Sequence, residues 1–222
     1  EYFTDYVSEN DRYLAEEFQN QEGFLTRYSS TTSVLLVNTD LIGDIEINGY
    51  ADLLHPDLKG KIAHGDATSS SSAFNHLENM LFAMGKDHDP NSDEAWEYVE
   101  KFLDQLDGKI LTSSGNVHKG VADGEYTIGL TYEEPAVDYV RDGAPVEVVY
   151  MDEGVIFKEA GVYIINDAQN LENAKKFADF ILSPTVQNLL GTETSNRPLR
   201  EDAEMADYKT PLSEINVLAV DD

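Results

Sequence analysis

The stretch Gly65-Asp66-Ala67-Thr68-Ser69-Ser70-Ser71-Ser72-Ala73-Phe74 decides the fold. Ahead of it lies Lys61-Ile62-Ala63-His64, a short apolar run that reads as a buried strand. Behind it, Phe74, Leu77, Leu81 and Met84 recur at helical spacing. Strand, hydroxyl-rich turn and helix start follow one another directly. The first N–H groups of a helix lack internal partners, and the helix dipole gives that end partial positive charge. Such a turn can hold an anion, with Thr68, Ser69, Ser70, Ser71 and Ser72 adding donors. Capping alone needs a single serine.

The same arrangement recurs further along. Lys109-Ile110-Leu111 is a short apolar run, and Thr112-Ser113-Ser114-Gly115-Asn116 follows it before a helix ending near Ala122. Thr127-Ile128-Gly129-Leu130-Thr131 is a third strand, followed by Tyr132-Glu133-Glu134-Pro135 and a helix to about Arg141. Ser33-Val34-Leu35-Leu36-Val37-Asn38 and Val146-Glu147-Val148-Val149-Tyr150 are further strands. Gly23 to Tyr28 is expected to form a separate strand, with Ser29-Ser30-Thr31-Thr32 as a hydroxyl cluster between it and Ser33. Ser92 N-caps a helix whose apolar face is Trp96, Val99, Phe102, Leu103 and Leu106. Asn170 is expected to N-cap another, with Leu171, Ala174, Phe177, Ala178 and Ile181 on one face, and Ser183-Pro184 starts the next.

Strands alternating with helices give an α/β class with a mixed, mostly parallel sheet flanked by helices. In such sheets ligands sit beyond the carboxyl ends of the strands. The expected ligand-binding residues are therefore Thr68, Ser69, Ser70, Ser71, Ser72, Ser113, Ser114, Asn116, Thr131, Tyr132, Glu133 and Glu134. Donors at the helix starts suit an anionic head group, and the two carboxylates suit hydroxyls or an amine at its other end.

Composition narrows the partners. The chain carries 43 acidic against 15 basic residues, a net charge of −28. That disfavours nucleic acid and anionic membranes, and it is compatible with a salty habitat. No apolar run approaches the ~20 residues of a membrane span. With no cysteine, disulfides, thiol catalysis and zinc–thiolate sites are excluded. Asp87-His88-Asp89-Pro90-Asn91 lacks the glycine and glutamate of a calcium loop. The histidines show no zinc-enzyme spacing, and no glycine pattern signals a nucleotide. No cofactor, metal or catalytic residue is expected. An enzyme using Ser69, His118 and Glu133 on phosphate esters is the competing class.

Several segments resemble one family. Asp52-Leu53-Leu54-His55-Pro56-Asp57-Leu58-Lys59-Gly60-Lys61-Ile62, Asp66 through Ser71, Gly143 through Gly154, Asn170 through Pro184 and Asn196-Arg197-Pro198 follow the motifs of bacterial ABC-transporter solute-binding proteins of the ferric-iron, sugar-phosphate and phosphonate type. The resemblance implies a type II periplasmic-binding-protein-like lobe and a non-enzymatic receptor. It also implies an ABC permease as partner and a periplasmic or extracellular location, with any membrane contact through that permease or a lipid anchor outside this sequence. It implies a missing amino-terminal lobe, so that residues 1–29 are its remnant and hinge. Residues 30–154 would then be the carboxy-terminal lobe and 155–222 a returning segment. Ferric-binding members carry adjacent tyrosines where this chain has Thr131-Tyr132-Glu133-Glu134, which favours a sugar phosphate or phosphonate, with iron as the alternative.

Overall fold

In a computed structural model, residues 2–220 are described. They form two compact units. One holds the chain up to Thr31 together with Lys158–Lys209. The other holds Thr32–Phe157 and the chain from Thr210 on.

The second unit is built on four strands in the order β2-β3-β1-β4. They are β1 (Leu25–Asn38), β2 (Ile62–Ala63), β3 (Ile128–Tyr132) and β4 (Val146–Val149). β2 pairs parallel to β3, while β1 runs antiparallel to both β3 and β4. Thus β2, β3 and β4 point one way, and β1 is inserted against them. The register sets Ser33 beside Tyr132 and Val37 beside Ile128. Leu111 adds a single parallel bridge to Gly65 at the outer edge.

Helices cover both faces, which explains the continuous apolar runs. Leu35 and Val37 point to one core with Ile62, Met80, Phe102 and Ile128. Their neighbours Val34 and Leu36 point to the other with Ala63, Val117, Val121 and Ala136. The first core is covered by α1 (Ser71–Met84) and α2 (Asp93–Gln105), the second by α3 (Ser114–Ala122) and α4 (Glu133–Arg141). Gly129 makes close packing possible: a Cβ there would lie 2.7 Å from a Val121 methyl and 3.0 Å from one of Val117.

Three expectations change. Leu25–Asn38 is one strand rather than two, and Ser29, Ser30 and Thr32 are buried within it. A strand ladder occupies the backbone of such residues, and the Thr32 hydroxyl donates to the Ile156 carbonyl at 2.8 Å. The buried stripe of α1 is Ala73, His76, Met80 and Ala83, leaving Phe74 54% exposed. In this rotation His76 meets the Tyr50 hydroxyl and the Thr131 carbonyl in the interior. On α2, Trp96 and Leu103 stand half-exposed at the rim of an apolar hollow of about 260 Å³ that reaches His64.

The first unit has less apolar core. Its buried cluster is Leu14, Leu182 and Leu199. β5 (Phe157–Tyr163) and β6 (Arg197–Pro198) pair with β1. Of the expected apolar face of α5 (Leu171–Ile181), Ala178 is buried and Phe177 is 52% exposed. Gln187 of α6 (Pro184–Glu193) donates to the Tyr28 and Ile181 carbonyls and accepts from the Leu199 and Arg200 amides. Asp179 accepts from Tyr6 and Ser8 hydroxyls. Lys209 donates to the Leu190 and Asn196 carbonyls.

Candidate functional site

The carboxyl ends of β2 and β3 share one edge of the second unit's sheet, and α1 and α4 start there. Leu111 exchanges backbone hydrogen bonds with His64 and Asp66, so the turn into α3 lies beside the turn into α1. Three helix starts are thereby gathered along one sheet edge.

The Asp66 turn is held by its own side chain. Its carboxylate accepts from the Thr68 amide at 2.8 Å and the Thr68 hydroxyl at 2.7 Å. These bonds hold its carboxyl below the usual range. Ser69 Oγ donates back to the Asp66 carbonyl at 3.4 Å. Ser70 N-caps α1, its Oγ accepting from the Ala73 amide. Ser71 is exposed at the first helical position. Ser72 is buried, and its Oγ has no hydrogen-bond partner among the described residues.

The second cluster is similar. Ser113 N-caps α3 through the Asn116 amide at 3.3 Å. Ser114 is half-buried, while Asn116 is exposed and reaches the Thr112 hydroxyl. Neither α1 nor α3 has an acidic residue in its first turn, whereas α2 opens on Asp93 and Glu94 and α4 on Glu133 and Glu134.

The third cluster is more buried. Thr131 is fully buried; its carbonyl faces His76 Nε2 at 2.7 Å and its hydroxyl faces His118 Nδ1 at 3.3 Å. Tyr132 occupies the N-cap position of α4 without a capping bond. Burial, and then the Glu134 charge, raise its phenol pKa. Glu133 is 1% exposed and accepts from the Tyr150 hydroxyl. Glu134 is half-buried. His118 lies against Tyr132 and Tyr139 with its pKa lowered by burial.

Topology thus brings the three hydroxyl clusters to one edge. It does not assemble Ser69, His118 and Glu133 into a nucleophile, base and orienter, because each is engaged elsewhere. No group of three His, Cys, Asp or Glu residues positioned for a metal occurs among the described residues. His76, Tyr50 and Tyr150, which support the edge from behind, carried no local signal in the sequence.

The family model for bacterial extracellular solute-binding proteins matches residues 6–212. A Haemophilus influenzae protein described only as uncharacterized is 31% identical over 160 residues, covering 69% of this chain and 43% of that protein. The spermidine/putrescine-binding periplasmic protein of Salmonella typhimurium is 27% identical over 199 residues, covering 89% of this chain and 52% of that protein. The chain spans about half the length of these curated relatives. Among solved structures, the periplasmic binding protein AfuA of Actinobacillus pleuropneumoniae, with exogenous fructose-6-phosphate bound, matches with a TM-score of 0.83 at 24% identity. That match covers 98% of this chain and 69% of the AfuA chain. At that identity the likeness speaks to fold alone. With the family model spanning nearly the whole sequence, the chain belongs to the bacterial extracellular solute-binding proteins.

Proposed function

We propose that this chain helps capture a small anionic solute, a sugar phosphate or phosphonate, for an ABC importer. The phosphoryl oxygens sit at the α1 and α3 starts. The observation that carries this reading is the placement of charge. In a chain with 43 acidic residues, the first turns of α1 and α3 have none. A carboxylate there would satisfy the dipole internally and repel an anion. The buried, unpartnered Ser72 Oγ supplies one more donor in the same turn. Glu134 and Glu133, which accepts from the Tyr150 hydroxyl, lie on α4 and suit the hydroxyl or amine end of the solute.

A polyamine is the second reading. It rests on the α4 carboxylates and the Salmonella relative named for spermidine and putrescine. Ferric iron has less support, because the Tyr132 phenol is held more firmly protonated than usual and a ferric centre needs its anion.

Calorimetry with glucose 6-phosphate, 2-aminoethylphosphonate, spermidine and ferric citrate separates these readings. The two phosphorus compounds are expected to bind, and Ser71→Leu to weaken them at least about tenfold through lost approach to the helix start. Spermidine binding without phosphate binding overturns the proposal. So does ferric binding with a tyrosinate absorption band lost in Tyr132→Phe.

A further inference from the structure

Thr131 is gripped from two sides, two residues before α4 begins. Its carbonyl oxygen lies 2.7 Å from His76 Nε2, on α1. Its hydroxyl lies 3.3 Å from His118 Nδ1, on α3. One residue therefore touches both other helices that start at the site.

The His76 contact has a defined chemistry. A carbonyl can only accept, so His76 Nε2 carries the proton. In the neutral ring Nδ1 is then an acceptor, and it lies 3.0 Å from the Tyr50 hydroxyl, which donates. Burial, with His64 adding a smaller push, lowers the His76 pKa to about 3, so the ring stays neutral at physiological pH. Tyr50 is fixed in turn. Its carbonyl accepts from the Tyr98 hydroxyl at 2.5 Å, and the Glu153 carboxylate accepts from the Tyr50 and Ala51 amides at 3.1 and 2.9 Å. His76 is fully buried, and its bonds to Thr131 and Tyr50 and the Tyr98–Tyr50 bond are shielded from water.

We propose that His76 is a positioning residue for the anion site: through the Thr131 carbonyl it holds the β3–α4 junction against α1, so the helix starts keep the spacing one solute requires. The inference rests on the anion reading above and adds a residue that never touches the solute. His76 sits five residues into α1, about 7 Å along the axis from Ser71, too far for direct contact through its own turn.

Two substitutions separate positioning from bulk stability. Glutamine extends as far as Nε2 and can still donate to Thr131. Asparagine extends only as far as Nδ1 and can still accept from Tyr50. Each keeps one bond, and each lowers the melting temperature. His76→Gln is expected to keep affinity for inorganic phosphate and glucose 6-phosphate within about threefold, while His76→Asn loses about tenfold or more, the scale of one buried hydrogen bond. Equal affinity in the two variants, whether lost or kept, overturns the proposal.

A wild-type protein that binds neither probe defeats the anion reading, and the positioning role is then decided without ligand. N–H dipolar couplings of Glu133–Ala136 against those of α1 report the relative orientation of the two helices. A change confined to His76→Asn supports the role; unchanged couplings in both variants overturn it.

Discussion

The two units hold themselves together by different means. The second fills both faces of its sheet with aliphatic and aromatic side chains, and Val34, Leu35, Leu36 and Val37 alternate between the two cores. The first gathers Leu14, Leu182 and Leu199 into a small cluster and otherwise relies on buried polar groups. Gln187, Arg197, Arg200 and Lys209 are all buried there. Arg200 pairs with Asp202, donates to the Leu182 carbonyl and lies over the Tyr13 ring. Apolar burial is tolerant of direction, whereas a buried hydrogen bond contributes only when its geometry is right. The second unit should therefore lose stability in proportion to volume removed, and the first in proportion to bonds left unmade.

The sharpest way to break the contrast is to delete volume where it is densest. Phe102 is 1% exposed, stacks on Tyr98 and meets His64 edge to face. Phe102→Ala should cost about 3–5 kcal/mol in urea unfolding followed by the second unit's signals. A cost under about 1 kcal/mol would mean that the core collapses around the gap and is not the support described.

In the first unit the matching experiment removes bonds at nearly constant volume. Gln187→Leu leaves the Tyr28 and Ile181 carbonyls and the Leu199 and Arg200 amides without their partner. The expected loss is about 2–4 kcal/mol, because each buried group left unpaired costs roughly 1–3 kcal/mol and some regain water. Hydrogen exchange should quicken at Leu199 and Arg200 first. A neutral substitution would erase the distinction between the units.

Acid supplies the smallest and most selective probe. His64 and His76 lie in the second unit with pKa values lowered to about 4 and about 3, in both cases chiefly by burial. Below pH ~6.5 the unfolded chain binds protons there that the folded chain does not, so stability falls as pH falls until the folded values are reached. Each histidine contributes a slope of about 1.4 kcal/mol per pH unit across that window. His64→Phe should remove one such share between pH 6.5 and 5, above the main carboxylate range. An unchanged slope in urea titrations at pH 7, 6 and 5 would show that the folded chain protonates His64 as readily as the unfolded one does.

The parts of this fold legible in the sequence were those with local causes. Val34–Val37, Ile62–Ala63 and Ile128–Thr131 announced buried strands by apolar content. Ser92 and Ser183 announced helix starts, and the structure gives each a capping bond, whereas Asn170 holds the N-cap position of α5 without one. Ser29–Thr32 misled because hydroxyls mark loops on average, while here a strand ladder consumes the backbone and the interior accepts the side chains. Phe74 and Trp96 misled because periodicity fixes a stripe only to within a residue or so, and polar anchors such as His76 decide the final turn. The three hydroxyl clusters could be placed on one edge from strand order alone. Their supports could not: His76 and Thr131 are 55 residues apart, and Tyr150 and Glu133 are 17 apart. No spacing rule connects such pairs before the chain has folded.

Gly129 shows how such a site can be tuned from behind. With hydrogen in place of a methyl group, α3 rests directly on β3 through Val117 and Val121. The same helix carries Ser113, Ser114 and Asn116 at its outer end. A single added carbon would act as a shim, tilting or lifting the helix and moving those donors by a fraction of an ångström. The thickness of the packing beneath α3 therefore sets where the proposed donors stand, with no change to the donors themselves.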